Sequence, residues 1–183
     1  AMVEELLTAF YAAESQFTAV SLRCANLMGS EPGWNISPRQ ESEDVASRLA
    51  KVVLDEDAVF DLEAVSYPTP DGTAILDYIH PYDAAMLHCL ALKYLIEGGE
   101  STIMNCGSGQ GYSTQELLHA FQKYSGKILP YRTVAAKSGV TGAMVADTTR
   151  LQRKLGWTLR YSIDDMVRTA FATAESRQEL EPS

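Results

Sequence analysis

The sequence predicts a mixed α/β fold, and two patterns support that prediction. Stretches with apolar residues at helical spacing alternate with short β-branched or apolar runs. Capping residues and glycines mark where the predicted helices begin and end. With 183 residues, of which 46% are hydrophobic, the chain is long enough to bury a sizeable core.

The first elements follow from hydrophobic periodicity. Val3, Leu6 and Phe10 recur at helical spacing and predict an amphipathic helix over residues 2–14. A short run rich in β-branched and apolar residues predicts a strand over 17–23. Glycine, proline and serine then predict a long surface loop over 29–43. The next predicted elements are a helix over 44–54 and strands over 58–62 and 73–79.

The second half is marked by capping signals. Asp83 is expected to cap the start of a helix that ends at Gly98-Gly99, or to match the charge of the helix start. This helix is apolar nearly all round, so we expect it to be buried. A strand over 101–106 follows. Ser113 and Glu116 have the spacing of a capping box for a helix ending near residue 125.

The remaining elements are a strand over 127–133 and two helices. Gly156 is expected to end the first of these helices, over 147–155. Ser162 and Asp165 repeat the capping pattern before the second. The tail, 178–183, is expected to fray.

Charge and composition exclude several classes of protein. The net charge is −9, without a cluster of Lys and Arg, so neither nucleic acid nor an anionic membrane surface is an expected partner. Without an apolar run of about 18 residues or a signal-peptide layout, we expect a cytoplasmic protein. Cys24, Cys89 and Cys106 are odd in number and lack C-x-x-C spacing, which predicts reduced, mostly buried thiols rather than disulfides or a zinc site.

The motifs that could carry chemistry favour structural roles. Gly107-x-Gly-x-Gly111 lies between a predicted strand and helix, as a dinucleotide loop would. The acidic residue expected about 20 positions later is missing, which favours a structural turn. The three histidines, His80, His88 and His119, are too dispersed for a metal site, and the chain has no Gly-x-Ser-x-Gly elbow.

Several segments carry a family resemblance. Ser21-Leu-Arg-Cys-Ala-Asn26 is similar to a Ser-Leu-Arg-Tyr-Phe-Asn strand, and Tyr67 to His80 contains Tyr-Pro-Thr-x-Asp-Gly-Thr followed by Asp-Tyr-Ile-His. Asn105 to Ser113 and Leu155-Gly-Trp157 continue the match. In this order they resemble the C-terminal half of UDP-galactose (UDP-glucose) 4-epimerases, in the extended short-chain dehydrogenase/reductase superfamily.

The resemblance implies a division into two layers. Residues 1–26 correspond to a leftover helix and strand of the Rossmann half, and 27–177 to the substrate-binding domain. In the family the Rossmann half holds NAD and supplies the Gly-rich loop and the Tyr-x-x-x-Lys, which lie upstream of the segments matched here. We therefore expect no catalytic residue, no metal ligand and no cofactor-binding residue in these 183 residues.

By the same resemblance, three residues match substrate-binding positions. Asn26 matches an Asn near the substrate pyrophosphate, Tyr78 a tyrosine near the nucleotide, and Lys137 replaces a phosphate-contacting Arg. Two other positions depart from the family pattern: Leu76 stands in place of a phosphate-binding Arg, and Val140 in place of an acidic residue that meets the ribose. Binding of a nucleotide sugar is therefore expected to be weak.

Two functional hypotheses remain open. The first is a truncated UDP-glucose 4-epimerase-like protein without catalysis on its own. The alternative is the substrate-binding half of a split nucleotide-sugar 4-epimerase, completed in trans by an NAD-binding chain. In both, the N-terminal helix and a lone strand lack their neighbours, which predicts either a homodimer or a complex with the missing Rossmann-half chain.

Overall fold

A computed structural model of the chain describes residues 2–14, 17–30, 44–55, 57–64, 67–135 and 141–180, with side chains through 175. The described helices, in chain order, are α1 (Met2–Ala13), α2 (Val45–Leu54), α3 (Pro81–Ile96), α4 (Thr114–Ser125), α5 (Thr149–Leu155) and α6 (Ile163–Leu180). The described strands are β1 (Val20–Cys24), β2 (Asn26–Leu27), β3 (Phe60–Ala64), β4 (Ile75–Ile79), β5 (Thr102–Cys106), β6 (Gly111–Ser113), β7 (Tyr131–Ala135) and β8 (Ala143–Met144).

The strands form three small sheets. β1 pairs with β5 in parallel over five residues, and β3 pairs with β7 in the same way. β4 is the centre of the third sheet, where it pairs in parallel with β2 and β8 and antiparallel with β6. Helices and strands are interleaved along the chain, which confirms the predicted mixed α/β class.

The β1–β5 sheet lies between α1 and α3. Arg23 on one face of β1 makes a salt bridge with Glu4 of α1 at 2.6 Å. On the other face, Leu22 packs against a core cluster that includes Leu87 of α3 and Met104 of β5. The expectation of a lone N-terminal strand is therefore wrong, because β5 supplies β1 with a parallel neighbour.

A second, larger core cluster lies among α2, α4, α6 and the β3 strand. Leu49, Phe60, Leu117 and Phe121 are each at most 1% exposed within it. The buried apolar positions of α2 recur at helical spacing and lie on its inner face. Tyr78 of β4 belongs to the same cluster and Leu76 packs against it, so β4 is held against these helices.

Local capping signals are confirmed. The Ser113 hydroxyl accepts from the Glu116 amide, and the Glu116 carboxylate accepts from the Ser113 amide, which completes a capping box. Ser162 and Asp165 make the same reciprocal pair at the start of α6. Gly156 ends α5 with φ +60°, a left-handed conformation that favours glycine.

The expectations about α3 hold only in part. Its N-cap is His80, whose Nδ1 accepts from the Tyr82 amide, so Asp83 does not cap the helix. Asp83 does lie in the first turn, as the charge-matching alternative expects, and its carboxylate accepts from the backbone amides of Arg160 and Tyr161. The helix is also only half-buried. Leu92 and Ile96 are 60% and 76% exposed, since the described part of the chain covers one face of α3.

Element boundaries shift by a few residues. β1 begins at Val20, β3 at Phe60 and β7 at Tyr131, each two to four residues later than the sequence predicts. β2, β6 and β8 are two or three residues long and were not predicted. The predicted loop at 29–43 lies mostly outside the described residues, and α6 continues to Leu180 at the start of the predicted tail.

The prediction of mostly buried cysteines is wrong. All three thiols are free, but Cys24 and Cys89 are exposed and only Cys106 is buried. Within the described ranges, no group of three or more His, Cys, Asp or Glu side chains is placed to hold a metal ion. Nor does any described helix combine the length and apolar character needed to cross a bilayer.

Candidate functional site

Asn26 and Tyr78 are brought side by side, because β2 and β4 pair in a register that opposes them. The Asn26 Nδ2 donates to the backbone oxygen of Asp77 at 3.1 Å, so the carboxamide is oriented by the neighbouring strand. The side chain is half-buried. The structure therefore holds Asn26 in a fixed orientation at the end of the third sheet.

The Tyr78 ring lies in the larger core cluster and is 3% exposed. Burial raises the pKa of Tyr78 well above its ordinary value, and the nearby Asp44 carboxylate raises it further. The phenol is therefore neutral throughout the physiological pH range. Its described environment is that of a packed aromatic residue.

Leu76 occupies the middle of β4, opposite Tyr112 of β6 and Met144 of β8. Its side chain is half-buried and packs against the larger core cluster. It presents neither charge nor a hydrogen-bond donor at the position where the resemblance implies an Arg. Lys137 and Val140 lie outside the described residues.

Asp77 is the organising residue of this region. It is 2% exposed, and its carboxylate accepts from the Ser108 amide at 2.9 Å, the Ser108 hydroxyl at 2.6 Å, the Gly109 amide at 3.0 Å and the Ala146 amide at 3.1 Å. A buried carboxylate is tolerated when such donors replace its hydration. Asp77 thereby ties β4 to the turn after β5 and to the segment after β8.

The glycine-rich turn is built around that carboxylate. A Cβ at Gly107 would lie 2.5 Å from Asp77 Oδ2, and Gly109 has φ +74°. In a dinucleotide loop the backbone amides point at the pyrophosphate. Here the amides of Ser108 and Gly109 already donate to Asp77, so these two amides do not point outward as they would in a dinucleotide loop. The prediction of a structural turn is confirmed.

Sequence reasoning missed the role of Asp77. The available signal was an acidic residue inside an otherwise apolar strand, because such a residue must find buried donors. The donors themselves lie 31 to 69 positions away along the chain and could not be read locally.

His80 connects this region to α6. Its Nδ1 accepts from the Tyr82 amide, so in the neutral ring Nε2 carries the hydrogen and donates to Thr169 Oγ1 at 3.2 Å. The ring stacks on Tyr161 with centroids 3.9 Å apart. A Cβ at Gly29 would lie 2.5 Å from the His80 ring. His80 is therefore a packed, hydrogen-bonded structural residue.

Asp71 connects the 67–73 turn to α4. Its carboxylate accepts from the Thr73 amide and from the Ser113 hydroxyl, the same hydroxyl that caps α4. Burial acts to raise the pKa of Asp71, but the hydrogen bonds from Ser113 and Thr73 outweigh it and lower the pKa below its ordinary value. The ionised form is therefore the one that the fold stabilises.

Glu63 and Ala64 form the end of β3. Arg48 lies 3.8 Å from the Glu63 carboxylate and also stacks over the Phe60 ring. The adjoining open groove has a volume of about 660 Å³ and carries side chains of both charges. This end of β3 is therefore a charged, ion-paired edge.

The fold is that of about one half of an extended short-chain dehydrogenase/reductase, as comparisons with known proteins show. Residues 1–107 match the family described as NAD dependent epimerase/dehydratase family. The UDP-glucose 4-epimerase of Bacillus subtilis (strain 168) is 33% identical over 170 residues, covering 90% of this chain and 49% of that protein. The human UDP-glucose 4-epimerase is 32% identical over 166 residues, covering 90% and 48%. The chain belongs to the NAD dependent epimerase/dehydratase family.

Solved structures agree with that assignment. A UDP-glucose 4-epimerase from Stenotrophomonas maltophila, with bound NAD and formylated UDP-arabinopyranose, superposes with a TM-score of 0.93 at 31% identity, covering 98% of this chain and 54% of that one. The Bifidobacterium longum enzyme in complex with NAD+ and UDP gives a TM-score of 0.87 at 29% identity, covering 96% and 52%. The chain spans about half the length of the relatives that it matches.

Proposed function

We propose that these 183 residues form the nucleotide-sugar side of a UDP-glucose 4-epimerase-like protein and do not interconvert sugars on their own. The Asp77 turn carries this proposal, since the glycine-rich turn between β5 and α4 donates its amides to a buried carboxylate. A 4-epimerisation that proceeds by oxidation needs a hydride acceptor and a base. The sequence contains no Tyr-x-x-x-Lys to act as that base.

Weak binding of a nucleotide sugar is part of the same proposal. Asn26 retains an oriented carboxamide beside Asp77, which supports one polar contact with a ligand. Leu76 offers no donor to a phosphate. A hydrogen bond to a charged group contributes about 1.5–3 kcal/mol, so one missing contact weakens binding roughly 10-fold to 150-fold.

The experiment is calorimetry of the purified chain with UDP-glucose and, separately, with NAD. The proposal predicts no heat of binding for NAD and a dissociation constant for UDP-glucose weaker than roughly 100 μM. Micromolar binding of either ligand would contradict it. Asn26→Ala should weaken any residual UDP-glucose binding, whereas Asn105→Ala, on the neighbouring sheet, serves as a matched control.

The second candidate is completion in trans by an NAD-binding chain, and two observations favour it. The pairing of β1 with β5 leaves the other edge of β1 without a neighbour among the described strands. α1 has no buried residue, and it exposes Val3, Leu6 and Phe10 by 66%, 58% and 63%. We name these three residues the α1 stripe. A free parallel edge beside an apolar helix face suits the rest of a Rossmann layer.

A second copy of this chain is the other proposed partner for the α1 stripe. Light scattering of the purified chain should give the mass of a dimer, and Phe10→Glu should convert it to a monomer. Ile128→Glu, at a residue 92% exposed between α4 and β7, should leave the mass unchanged. A monodisperse wild-type monomer whose N-terminus resists protease would contradict the homodimer.

Completion in trans has its own test. The chain is mixed with a separately expressed NAD-binding half of the Bacillus subtilis relative, and conversion of UDP-galactose is followed. Turnover that requires both chains supports the second candidate. If Phe10→Glu abolishes this turnover and Ile128→Glu does not, the two chains associate through the α1 stripe. A cytoplasmic location is part of the proposal and is supported by the three free thiols.

A further inference from the structure

Cys24 and Cys106 are directly opposed on neighbouring strands. Each is the last residue of its strand, and the parallel register of β1 and β5 pairs them. The Ala25 amide donates to the Cys106 carbonyl at 2.8 Å and holds the two strand ends together. Neighbouring strands lie about 4.8 Å apart, and disulfides join Cα atoms about 4.4–6.8 Å apart. The two thiols can therefore be joined without separating the strands.

The two thiols differ in access to solvent. Cys24 is exposed at the end of the edge strand, whereas Cys106 is 0% exposed among Met104 and Leu87 of the smaller core cluster. A small oxidant from solvent therefore meets Cys24 first. Because Cys106 is buried beside Cys24, it is positioned to react with the oxidised Cys24 sulfur rather than with the oxidant in solvent.

Hydrogen bonding, burial and nearby charges also shift the pKa values of the two thiols in opposite directions. A hydrogen bond with the Cys106 thiol lowers the pKa of Cys24; burial opposes this shift, and His88 of α3 reinforces it. For Cys106 the hydrogen bond with Cys24 and burial raise the pKa, and the carboxylates of Asp77 and Asp83 act in the same direction. Cys24 is thus the thiol that ionises more readily, and the thiolate is the nucleophile.

We propose that Cys24 and Cys106 are a peroxide-sensitive thiol pair that closes to an intramolecular disulfide between β1 and β5. In the first step the Cys24 thiolate attacks hydrogen peroxide, the O–O bond breaks, and Cys24 becomes a sulfenic acid with release of hydroxide. In the second step the Cys106 sulfur attacks the Cys24 sulfur and the S–O bond breaks. The departing hydroxide takes the Cys106 proton and leaves as water. The hydroxide of the first step combines with the proton that Cys24 released on ionising, so the two thiols and one peroxide yield one disulfide and two waters.

One member of the pair departs from the family motif that the sequence resembles. The Ser-Leu-Arg-Tyr-Phe-Asn strand that residues 21–26 resemble carries Tyr where this sequence has Cys24. Metal binding is a poor alternative use of the two thiols, because no third ligand completes a metal-holding group among the residues with described positions. The bridge would fix the edge strand β1 covalently to β5.

The test uses the full 183-residue chain, reduced, desalted and treated with hydrogen peroxide. Free thiols are blocked with N-ethylmaleimide before denaturation and again after it, and the intact mass is measured. The proposal predicts a single N-ethylmaleimide adduct, on Cys89, and, after that adduct is subtracted, a chain about 2 Da lighter than the reduced one. It also predicts a Cys24–Cys106 linked peptide after non-reducing digestion. Closing so long a loop should also raise the Tm by roughly 5–15 °C, reversibly with dithiothreitol.

Variants separate the proposed pair from unspecific oxidation. Cys24→Ser, at an exposed position, should abolish the link and leave Cys106 a free thiol, whereas the matched control Cys89→Ser should form the link as the wild type does. Over-oxidation of Cys24 to sulfinic acid with Cys106 still reduced would overturn the proposal. Disulfides found only between chains, through Cys89, would overturn it equally.

Discussion

Replacing Asp77 with Asn tests whether one buried carboxylate organises the glycine-rich turn. Asn is nearly the same size, so the change leaves little cavity. One carboxylate oxygen becomes an NH2 group, which then faces the amides of Gly109 and Ala146 that now lie 3.0 and 3.1 Å from Oδ2. Three donors would point at one another in a site that is 2% exposed.

The magnitude follows from those two contacts. A buried donor left without an acceptor costs about 1–3 kcal/mol, so two such donors predict a loss of roughly 2–6 kcal/mol of unfolding free energy. For a domain of this size, this corresponds to a fall in Tm of roughly 4–24 °C. Asp57→Asn, at an exposed aspartate, should change the unfolding free energy by no more than about 0.5 kcal/mol.

The assay is urea unfolding followed by circular dichroism, combined with hydrogen exchange of the Gly109 and Ala146 amides. Both amides should exchange faster in Asp77→Asn than in the wild type, while amides of the distant α2 helix keep their relative order of protection. A stability loss below about 1 kcal/mol, or unchanged protection of the turn, would refute the role given to Asp77.

Three further predictions concern the residues around that turn. Ser113→Ala should lower the unfolding free energy by about 1–2 kcal/mol in urea, because α4 loses its capping box; an effect equal to that of an exposed Ser→Ala change would contradict this. Since hydrogen bonding lowers the pKa of Asp71 in the folded state below its ordinary value of 3.8, its contribution is present above that pH and is lost as the pH falls through the folded value. As the pH falls, the unfolding free energy of Asp71→Asn should therefore decrease less steeply than that of the wild type. Equal pH dependence in the two proteins would contradict the stabilising role given to the ionised Asp71 carboxylate. Leu76→Arg should tighten calorimetric binding of UDP at least roughly 10-fold, unlike Leu92→Arg on the exposed face of α3, and equal affinities would show that residue 76 does not face the nucleotide.

The elements with local causes were predictable from the sequence. The capping pairs at Ser113 and Ser162 and the glycine at 156 act within one helical turn, so a short window contains both partners. The starts of α4 and α6 and the end of α5 were placed to within two residues. Pro81 at the first turn of α3 was an unused signal, because it favours His80 rather than Asp83 as the N-cap.

The rest depends on contacts between distant segments. The burial of α3 was overestimated from its many apolar residues. Apolar residues show that a helix face can be buried, but they do not show which face packs against another element. Likewise, Asp77 and its amides are separated by 31 to 69 positions, and the pairing of Cys24 with Cys106 exists only through the β1–β5 register. Of the three residues predicted to meet substrate, Asn26 and Tyr78 are adjacent in the sheet, although the Tyr78 ring is directed into the core.

The most direct test of the central claim is an epimerisation assay on the 183-residue chain purified to homogeneity. UDP-galactose and NAD are supplied, and UDP-glucose formation is followed with a coupled dehydrogenase. We predict no product above the protein-free control. Product whose rate rises in proportion to the concentration of this chain would contradict it.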